Sequence, residues 1–292
     1  MTFAARVVAA SPAEASDWPA RRVLLANLRA VYGRAYPRIW GSTRERSWVF
    51  FEILLPFLTT SAFVFVYRAM QAPQEYVGSV VLGGAMVAFW LNVLWLMAAQ
   101  LYWEKDTGNL ELYFTTPIDL MAILFGMAVG GLVATSLRAV VVLAVGGLLF
   151  GVVFSVEQWG LLVAVFLLTL TALYGLGMVL ASLFLLFGRE AWHLTHVLEE
   201  PVYFISGLNF PVARLGLLGA LALSTIPLAV GLDAMRQLAF ADAAIDFGSP
   251  PPAVEAAVLV AMTAFFLLAA RVSLRHMERL ARREGRLTTR GR

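Results

Sequence analysis

Three side chains of the types that bind metal ions share one helical face in the second half of the chain. His193, His196 and Glu200 are spaced i, i+3 and i+7, and imidazole nitrogens combined with a carboxylate are common zinc ligands. Ligands spread over two helical turns need a residue from another helix to enclose one ion. The main prediction therefore assigns no metal site, and a membrane metalloenzyme or metal carrier stays as an alternative.

Ionisable side chains inside long apolar segments form a second group. On insertion scales each costs about 2.5 to 3.5 kcal/mol at the bilayer centre, so such residues usually serve a function. Four positions qualify: Glu52, Arg138, Glu199 and Glu200. One hypothesis is that Arg138 pairs with one of these carboxylates while another lines a water-filled substrate path between protomers. The alternative is that they form structural ion pairs or lie at a headgroup boundary.

Motifs of soluble catalysis are missing from the sequence. The single lysine, Lys105, lies in Glu-Lys-Asp-Thr-Gly and not in a Gly-x-x-x-x-Gly-Lys-Ser/Thr phosphate-binding loop. His-Glu-x-x-His and Gly-x-Ser-x-Gly are missing as well. With no cysteine, the chain has no disulfide, iron–sulfur cluster or thiolate zinc site. We expect no catalytic residue, and active pumping would need an energy source on another chain.

The composition predicts an integral membrane protein. Hydrophobic residues make up 60% of the 292 residues and charged residues 14%, against roughly 45–50% and about 25% in soluble domains. The apolar segments extend from 48 to 270, so we interpret 1–47 and 271–292 as polar ends around one membrane domain.

Arginine placement predicts the orientation. Of 22 Lys and Arg residues, eight precede the first long apolar segment and eight follow the last. Basic segments stay in the cytoplasm, so both termini are expected there and the number of spans is even. Anionic lipid headgroups explain such basic ends better than nucleic acid does. The first residues lack the apolar core of a signal peptide, so we expect internal helices to direct insertion.

A helix before the first span is predicted to lie in the headgroup plane. Asp17 is a possible N-cap, and Leu24, Leu28, Val31 and Ala35 fall at i, i+4, i+7 and i+11. The alternative is a cytosolic helix packed on a partner.

Six segments are apolar over the length needed for a span, which is about 20 residues. Their bounds are 48–67, 77–101, 120–151, 161–187, 191–210 and 253–270. The third is too long for one upright span and too short for two, so we predict a single tilted or partly cytosolic helix. Segment 211–235 is broken by prolines and glycines and predicts a re-entrant pair of half-helices at the outer leaflet. The predicted fold is thus an all-α integral membrane protein with six transmembrane helices, an N-terminal amphipathic interfacial helix and an outer re-entrant helical hairpin.

The polar stretch 102–119 between the second and third spans predicts a cytoplasmic elbow. Gly108 permits a turn, and Pro117 favours a new helix start. Leu110, Leu112 and Phe114 offer apolar contacts between them. Such an elbow can transmit force from a soluble partner, whereas the alternative is a solvated loop.

The sequence resembles the permeases of type 2 ABC exporters, the bacterial ABC-2-type membrane subunits. The elbow carries an acidic residue, Gly, Leu-Glu and Thr-Pro after the second span, as that family does. Segment 201–211 matches its Ser-Gly-x-x-Phe-Pro pattern, and Ile226-Pro227 with Met235-Arg236 matches its outer re-entrant Pro and Arg.

The resemblance implies a homodimer, or a heterodimer with a similar permease, in the plasma (inner) membrane with two ATP-binding-cassette subunits. ATP and Mg would be bound by those subunits, and the cargo would be an amphiphile such as a drug, lipid or lipid-linked glycan. The implied ATPase-coupling residues are Glu104, Asp106, Gly108, Leu110, Glu111, Pro117, Arg189 and Glu190. The implied re-entrant residues are Ser206, Gly207, Phe210, Pro211, Pro227 and Arg236. A passive channel or scaffold that needs no ATPase is a further alternative.

Overall fold

The computed structural model describes residues 20–44, 46–114, 116, 118–187, 191–212, 216–240 and 250–283. These residues form eleven α-helices and one π-helical segment, and no β-strand occurs among them. The helices are α1 (Ala20–Arg44), α2 (Arg46–Ala69), α3 (Gln74–Leu91), α4 (Gln100–Asp106), α5 (Asn109–Phe114), α6 (Leu120–Phe150), α7 (Trp159–Phe187), α8 (Ala191–Ile205), α9 (Leu217–Thr225), α10 (Pro227–Ala239) and α11 (Pro252–Arg283).

Five helices in the described ranges are long and apolar enough to cross a membrane. They are Val49–Ala69, Gln74–Asp106, Leu120–Phe150, Trp159–Phe184 and Pro252–Met277. These correspond to the first four and the last of the predicted spans, and they confirm a multi-pass membrane protein.

The predicted fifth span is shorter than expected. Helix α8 has 15 residues, or about 22 Å of length, against about 30 Å of hydrocarbon. It ends at Ile205, five residues before the predicted end, because Gly207 takes a left-handed conformation with φ of 66°. A sixth crossing stays a prediction.

The second span is a continuous helical rod with a π-helical segment at Asn92–Met97. In this segment the Ala98 N–H donates to the Val93 carbonyl, five residues back, at 3.0 Å. The rod extends to Asp106, so five residues assigned to the elbow belong to its last turns. π-Helical segments widen a helix locally and often occur at functional sites.

Helix α1 packs along the first half of α6. Asn27 accepts a hydrogen bond from the Asp119 N–H at 3.1 Å, and Gly126 and Gly130 of α6 lie against the backbone of Val31 and Ala35. The two helices therefore run in the same direction, in a close approach that small residues permit.

The apolar face assigned to α1 is only partly its packed face. Ala35 is buried, whereas Leu24 and Leu28 are 60% and 55% exposed. Small residues therefore face α6, and the leucines face outward, as an apolar face in contact with lipid would require. Asp17 lies outside the described residues, and the interfacial placement of α1 stays a prediction.

Helices α6 and α11 are longer than a bilayer requires, at 31 and 32 residues. The first confirms one long helix over 120–150. Asp119 begins it as N-cap by accepting a hydrogen bond from the Met121 N–H at 3.0 Å; Pro117, the expected start signal, lies outside the described residues. Helix α11 continues to Arg283, so residues 271–283 of the predicted polar end are helical.

The segment after α8 forms two short helices, α9 and α10. Gly231 of α10 lies against Thr169, ten residues after the start of α7 at Trp159. At its other end, Ser155 donates its N–H to the Ala239 carbonyl at 2.9 Å. Helix α10 thus begins deep in the bundle and ends level with the end of α6. Its last residue, Ala239, lies four residues beyond the predicted end of the re-entrant segment 211–235.

Candidate functional site

A cavity of about 440 Å³ lies between α2, the α3–α4 rod, α6 and α8. Small-molecule sites usually enclose about 300 to 1,000 Å³ and have mainly apolar walls with a few polar groups. This cavity has that character. Its described lining residues are Phe51, Glu52, Leu55, Pro56, Ala88, Leu91, Asn92, Trp95, Leu96, Trp103, Thr135, Arg138 and Trp192.

An ion pair between α2 and α6 lies in the wall of the cavity. The Arg138 guanidinium contacts the Glu52 carboxylate through Nη1 and Oε2, with side-chain exposures of 7% and 22%. Arg138 lies twelve residues before the end of α6 at Phe150, which is about 18 Å along the helix axis. The structure thus pairs Arg138 with Glu52 and not with Glu199 or Glu200.

The π-helical segment supplies a polar group beside this pair. Asn92 lines the cavity, and its side-chain oxygen accepts a hydrogen bond from the buried Tyr174 hydroxyl at 3.0 Å. That bond fixes the amide between α3 and α7. The cavity therefore has a polar side, with the ion pair and an amide, within an otherwise apolar wall.

Three tryptophans form the aromatic side of the cavity. Trp95 stacks on Trp192 with ring centroids 5.6 Å apart, and Trp103 meets Trp192 edge-on at 6.1 Å. Trp192 also contacts the ring of Phe184 in α7. This cluster anchors α8 to the α3–α4 rod and offers flat, amphipathic surfaces to a ligand.

The remaining intramembrane candidates lie outside the cavity. Glu199 accepts a hydrogen bond from the Trp95 indole N–H at 3.2 Å, and His196 Nδ1 lies 4.0 Å from its carboxylate. His193 and Glu200 are exposed. Among the described residues no group of three or more potential ligands could hold a metal ion, so this part of the chain supplies no ligand set for the metal alternative.

A second polar site joins α1, α4 and α5, and we call it the elbow cluster: Arg34, Arg38, Gln100, Glu104 and Tyr113. Glu104 is its centre because its carboxylate lies 2.6 Å from Arg34 Nη2. The same carboxylate accepts hydrogen bonds from the Tyr113 hydroxyl at 2.5 Å and from Gln100 at 3.1 Å. Arg34 also covers the Tyr113 ring at 4.9 Å.

Arg38 connects the elbow cluster to the cavity. Its Nη1 donates to the Gln100 side-chain oxygen at 2.5 Å. Burial lowers the pKa of Arg38. A methyl group on Gly131 would lie 3.3 Å from Arg38 Nε and 2.9 Å from the Asn92 side-chain oxygen, so Arg38 lies close to the amide that lines the cavity. Polar side chains thus lead from the elbow cluster to the polar side of the cavity.

The other residues predicted to contact the ATPase differ in how exposed they are. Gly108 forms the predicted turn with φ of 80°, and Leu110 is buried while Leu112 is 63% exposed. Asp106 is exposed at the end of α4. The Glu111 side chain and the residues Pro117, Arg189 and Glu190 lie outside the described part of the chain.

Arg236 organises the segment around α10. Its fully buried guanidinium donates to the carbonyls of Leu208 at 3.1 Å, Phe210 at 3.2 Å and Ser79 at 3.3 Å. The other re-entrant candidates surround this point: Ser206, Gly207 and Pro211 are buried, Phe210 is half-buried, and Pro227 is buried at the start of α10. The guanidinium thereby holds the bend after α8 against α3.

Two buried carboxylates in this region were missed by the sequence reasoning. Asp233 is 0% and Glu255 2% exposed, and Gln237 donates to both, at 3.4 Å and 3.0 Å. The available signal was an acidic residue three positions before Arg236 and another at the start of the last apolar segment.

Comparison with protein families identifies a matching family model. A family model described as ABC-2 type transporter matches residues 27–240, a range that begins inside α1 and ends after α10. It includes the cavity, the elbow cluster and the Arg236 region. No curated protein matches the chain.

Proposed function

Because this chain belongs to the ABC-2 type transporter family, we propose that it is the permease subunit of an exporter that moves an amphiphile outward. ATP hydrolysis takes place on separate ATP-binding-cassette subunits. The observation that carries this proposal is the run of polar side chains from the elbow cluster through Arg38 to Asn92 on the polar side of the cavity. These contacts can couple movement of the ATPase subunits to a cavity of the size that binds small molecules.

The ATPase subunits act on the elbow from the cytoplasm. Helix α5 is short and joined to α4 by the turn at Gly108, and Glu104 ties both to α1. A push on α5 therefore reaches α1 and, through Gln100 and Arg38, the helices around the cavity. Asp106, Glu111, Pro117, Arg189 and Glu190 complete the proposed contact surface.

The proposed topology has both termini in the cytoplasm and six crossings. The five candidate spans alone would leave the termini on opposite sides. With α8 and the bend after it as a crossing, the α9–α10 pair lies in the outer leaflet, and α11 returns the chain inward. The contacts of Arg236 with the bend and of Ala239 with Ser155 support this arrangement.

The permease functions as a homodimer, or with a similar permease, in a bacterial inner membrane. The exposed faces of α2 and α6 that flank the cavity carry large apolar side chains, including Phe51, Leu55 and Leu137. These faces are available to lipid and to a second permease. We propose that Glu52 and Arg138 line the path and that Glu199 and Glu200 lie at its margin.

Reconstitution tests the proposal. The permease and the ATP-binding-cassette subunit encoded beside it are placed in proteoliposomes, and movement of a fluorescent amphiphile is followed with ATP and with a non-hydrolysable analogue. Movement that requires hydrolysis is expected. Movement that is unchanged without the ATPase would instead support a passive channel.

A further inference from the structure

The charge balance of the cavity restricts which headgroups it can accept. Among the described lining residues only Glu52 and Arg138 are charged, and they neutralise each other in direct contact. The remaining lining is aromatic or aliphatic, apart from Asn92 and Thr135. The described lining therefore carries no net charge but holds one charge of each sign, while the buried Arg38 behind it is bonded to Gln100.

A headgroup of net charge would disturb this balance. An anion must compete with Glu52 for Arg138, and a cation must compete with Arg138 for Glu52. Either event leaves one partly buried charge without its counter-charge, which is costly in a medium of low polarity. A headgroup with both signs can place its anion beside Arg138 and its cation beside Glu52, so each buried charge stays compensated.

Building on the proposed function, we infer that this cavity is a binding site for zwitterionic phospholipid headgroups, selected over anionic and cationic ones. Arg is the side chain best suited to phosphate, because its planar donors match the phosphate oxygens. Glu52 is the more accessible partner, with 22% of its side chain exposed, and it accepts the ammonium group.

The aromatic side of the cavity fits the same ligand. Faces of tryptophan attract ammonium groups, and Trp95, Trp103 and Trp192 lie together in the lining. The volume of about 440 Å³ accommodates a headgroup and the start of its chains. The chains leave past Phe51 and Leu55, which are 53% and 60% exposed at the rim, into the surrounding bilayer.

Lipid retention measures this selectivity on the purified permease alone. The protein in detergent is mixed with equal amounts of phosphatidylethanolamine, phosphatidylglycerol and diacylglycerol with identical chains. Native mass spectrometry then measures how much of each lipid stays bound to the protein. We expect phosphatidylethanolamine to be retained roughly tenfold over phosphatidylglycerol, with diacylglycerol between them. Equal retention of the first two would overturn the inference.

Charge variants locate the selectivity in the ion pair. E52Q alone removes the carboxylate that contacts Arg138 and should shift retention toward phosphatidylglycerol. The double variant E52Q/R138Q keeps the cavity neutral and should fold but retain no preference. The exchange E52R/R138E keeps a pair and should keep the preference for phosphatidylethanolamine.

A matched control is Glu157→Gln, which removes an exposed carboxylate outside the cavity lining and should leave retention as in the wild type. A preference that survives in E52Q/R138Q would contradict the inference. The assay contains no ATPase, so it separates the two proposals. If phosphatidylethanolamine is retained selectively but no ATP-driven movement occurs, the export proposal is refuted and the lipid site stands. If export occurs but lipid retention is not selective, only the lipid site is refuted.

Discussion

Arg34 Nη2 lies 2.6 Å from the carboxylate of Glu104, and this contact joins α1 to the end of the second membrane-spanning rod. The same carboxylate accepts the Tyr113 hydroxyl of α5. One side chain therefore connects three helices that meet where the ATPase is proposed to act. If α5 moves relative to α4, either the contacts of Glu104 with Tyr113 and Arg34 break or α1 moves as well.

The first prediction concerns Glu104→Gln. The amide cannot compensate the partly buried charge of Arg34, so we expect the stability of the protein in detergent to fall by roughly 1–3 kcal/mol. Transport should fall more than ATP hydrolysis, because α5 loses its link to α1. Thermal unfolding and paired transport and ATPase assays measure the two effects.

Glu157→Gln is the control for that change, since Glu157 is exposed in the segment between α6 and α7 and should affect neither quantity. Tyr113→Phe removes the hydroxyl contact but keeps the ring beneath Arg34, so an intermediate loss is expected. Normal transport by Glu104→Gln at normal expression would show that the elbow cluster is not part of the coupling route.

The second prediction concerns Arg236→Lys. The guanidinium reaches three carbonyls on two segments, and a single ammonium cannot reproduce that planar geometry. We expect a loss of roughly 2–4 kcal/mol, because carbonyls in a buried region lose their donors. Arg271→Lys, at an exposed position in α11, should leave the unfolding temperature unchanged; equal effects of the two substitutions would contradict the assigned role of Arg236.

Hydropathy was sufficient to locate the five long helices, because each keeps its apolar character over the thickness of a bilayer. The turn at Gly108 was also predictable from the residue type, and its φ of 80° agrees. The early end of α8 was not predictable, since Leu208 and Phe210 continue the apolar character of the segment past the bend at Gly207.

Partners within the membrane depend on how helices pack, which one sequence does not encode locally. Three carboxylates were available to Arg138, and the register of α2 against α6 selects Glu52. The same holds for Arg38, whose partner Gln100 is 62 residues away. Asp233 and Glu255 were overlooked because charges near a predicted span end are usually solvated, whereas here α10 and α11 bury both.

The third prediction concerns topology. The natural sequence has no cysteine, so single cysteines report accessibility without background. N109C should react only from the cytoplasm and Q71C only from outside. For the sixth crossing, F187C and G216C flank α8 and should react from opposite sides. Labelling of that pair from the same side would leave five crossings and separate the termini.

The last prediction uses two glycines that differ only in their surroundings. A methyl group on Gly83 of α3 would lie 1.7 Å from the Leu208 carbonyl oxygen, whereas one on Gly33 of α1 would meet nothing within 4 Å. Alanine normally favours a helix over glycine by up to about 1 kcal/mol, so Gly33→Ala should be neutral or slightly stabilising. Gly83→Ala should destabilise by roughly 1–3 kcal/mol, because either α3 or the bend after α8 must move. Arg236 also holds this bend. The double variant Gly83→Ala/Arg236→Lys should therefore lose less free energy of unfolding than the sum of the two single losses. Strict additivity in thermal unfolding would show that the two residues act on independent contacts.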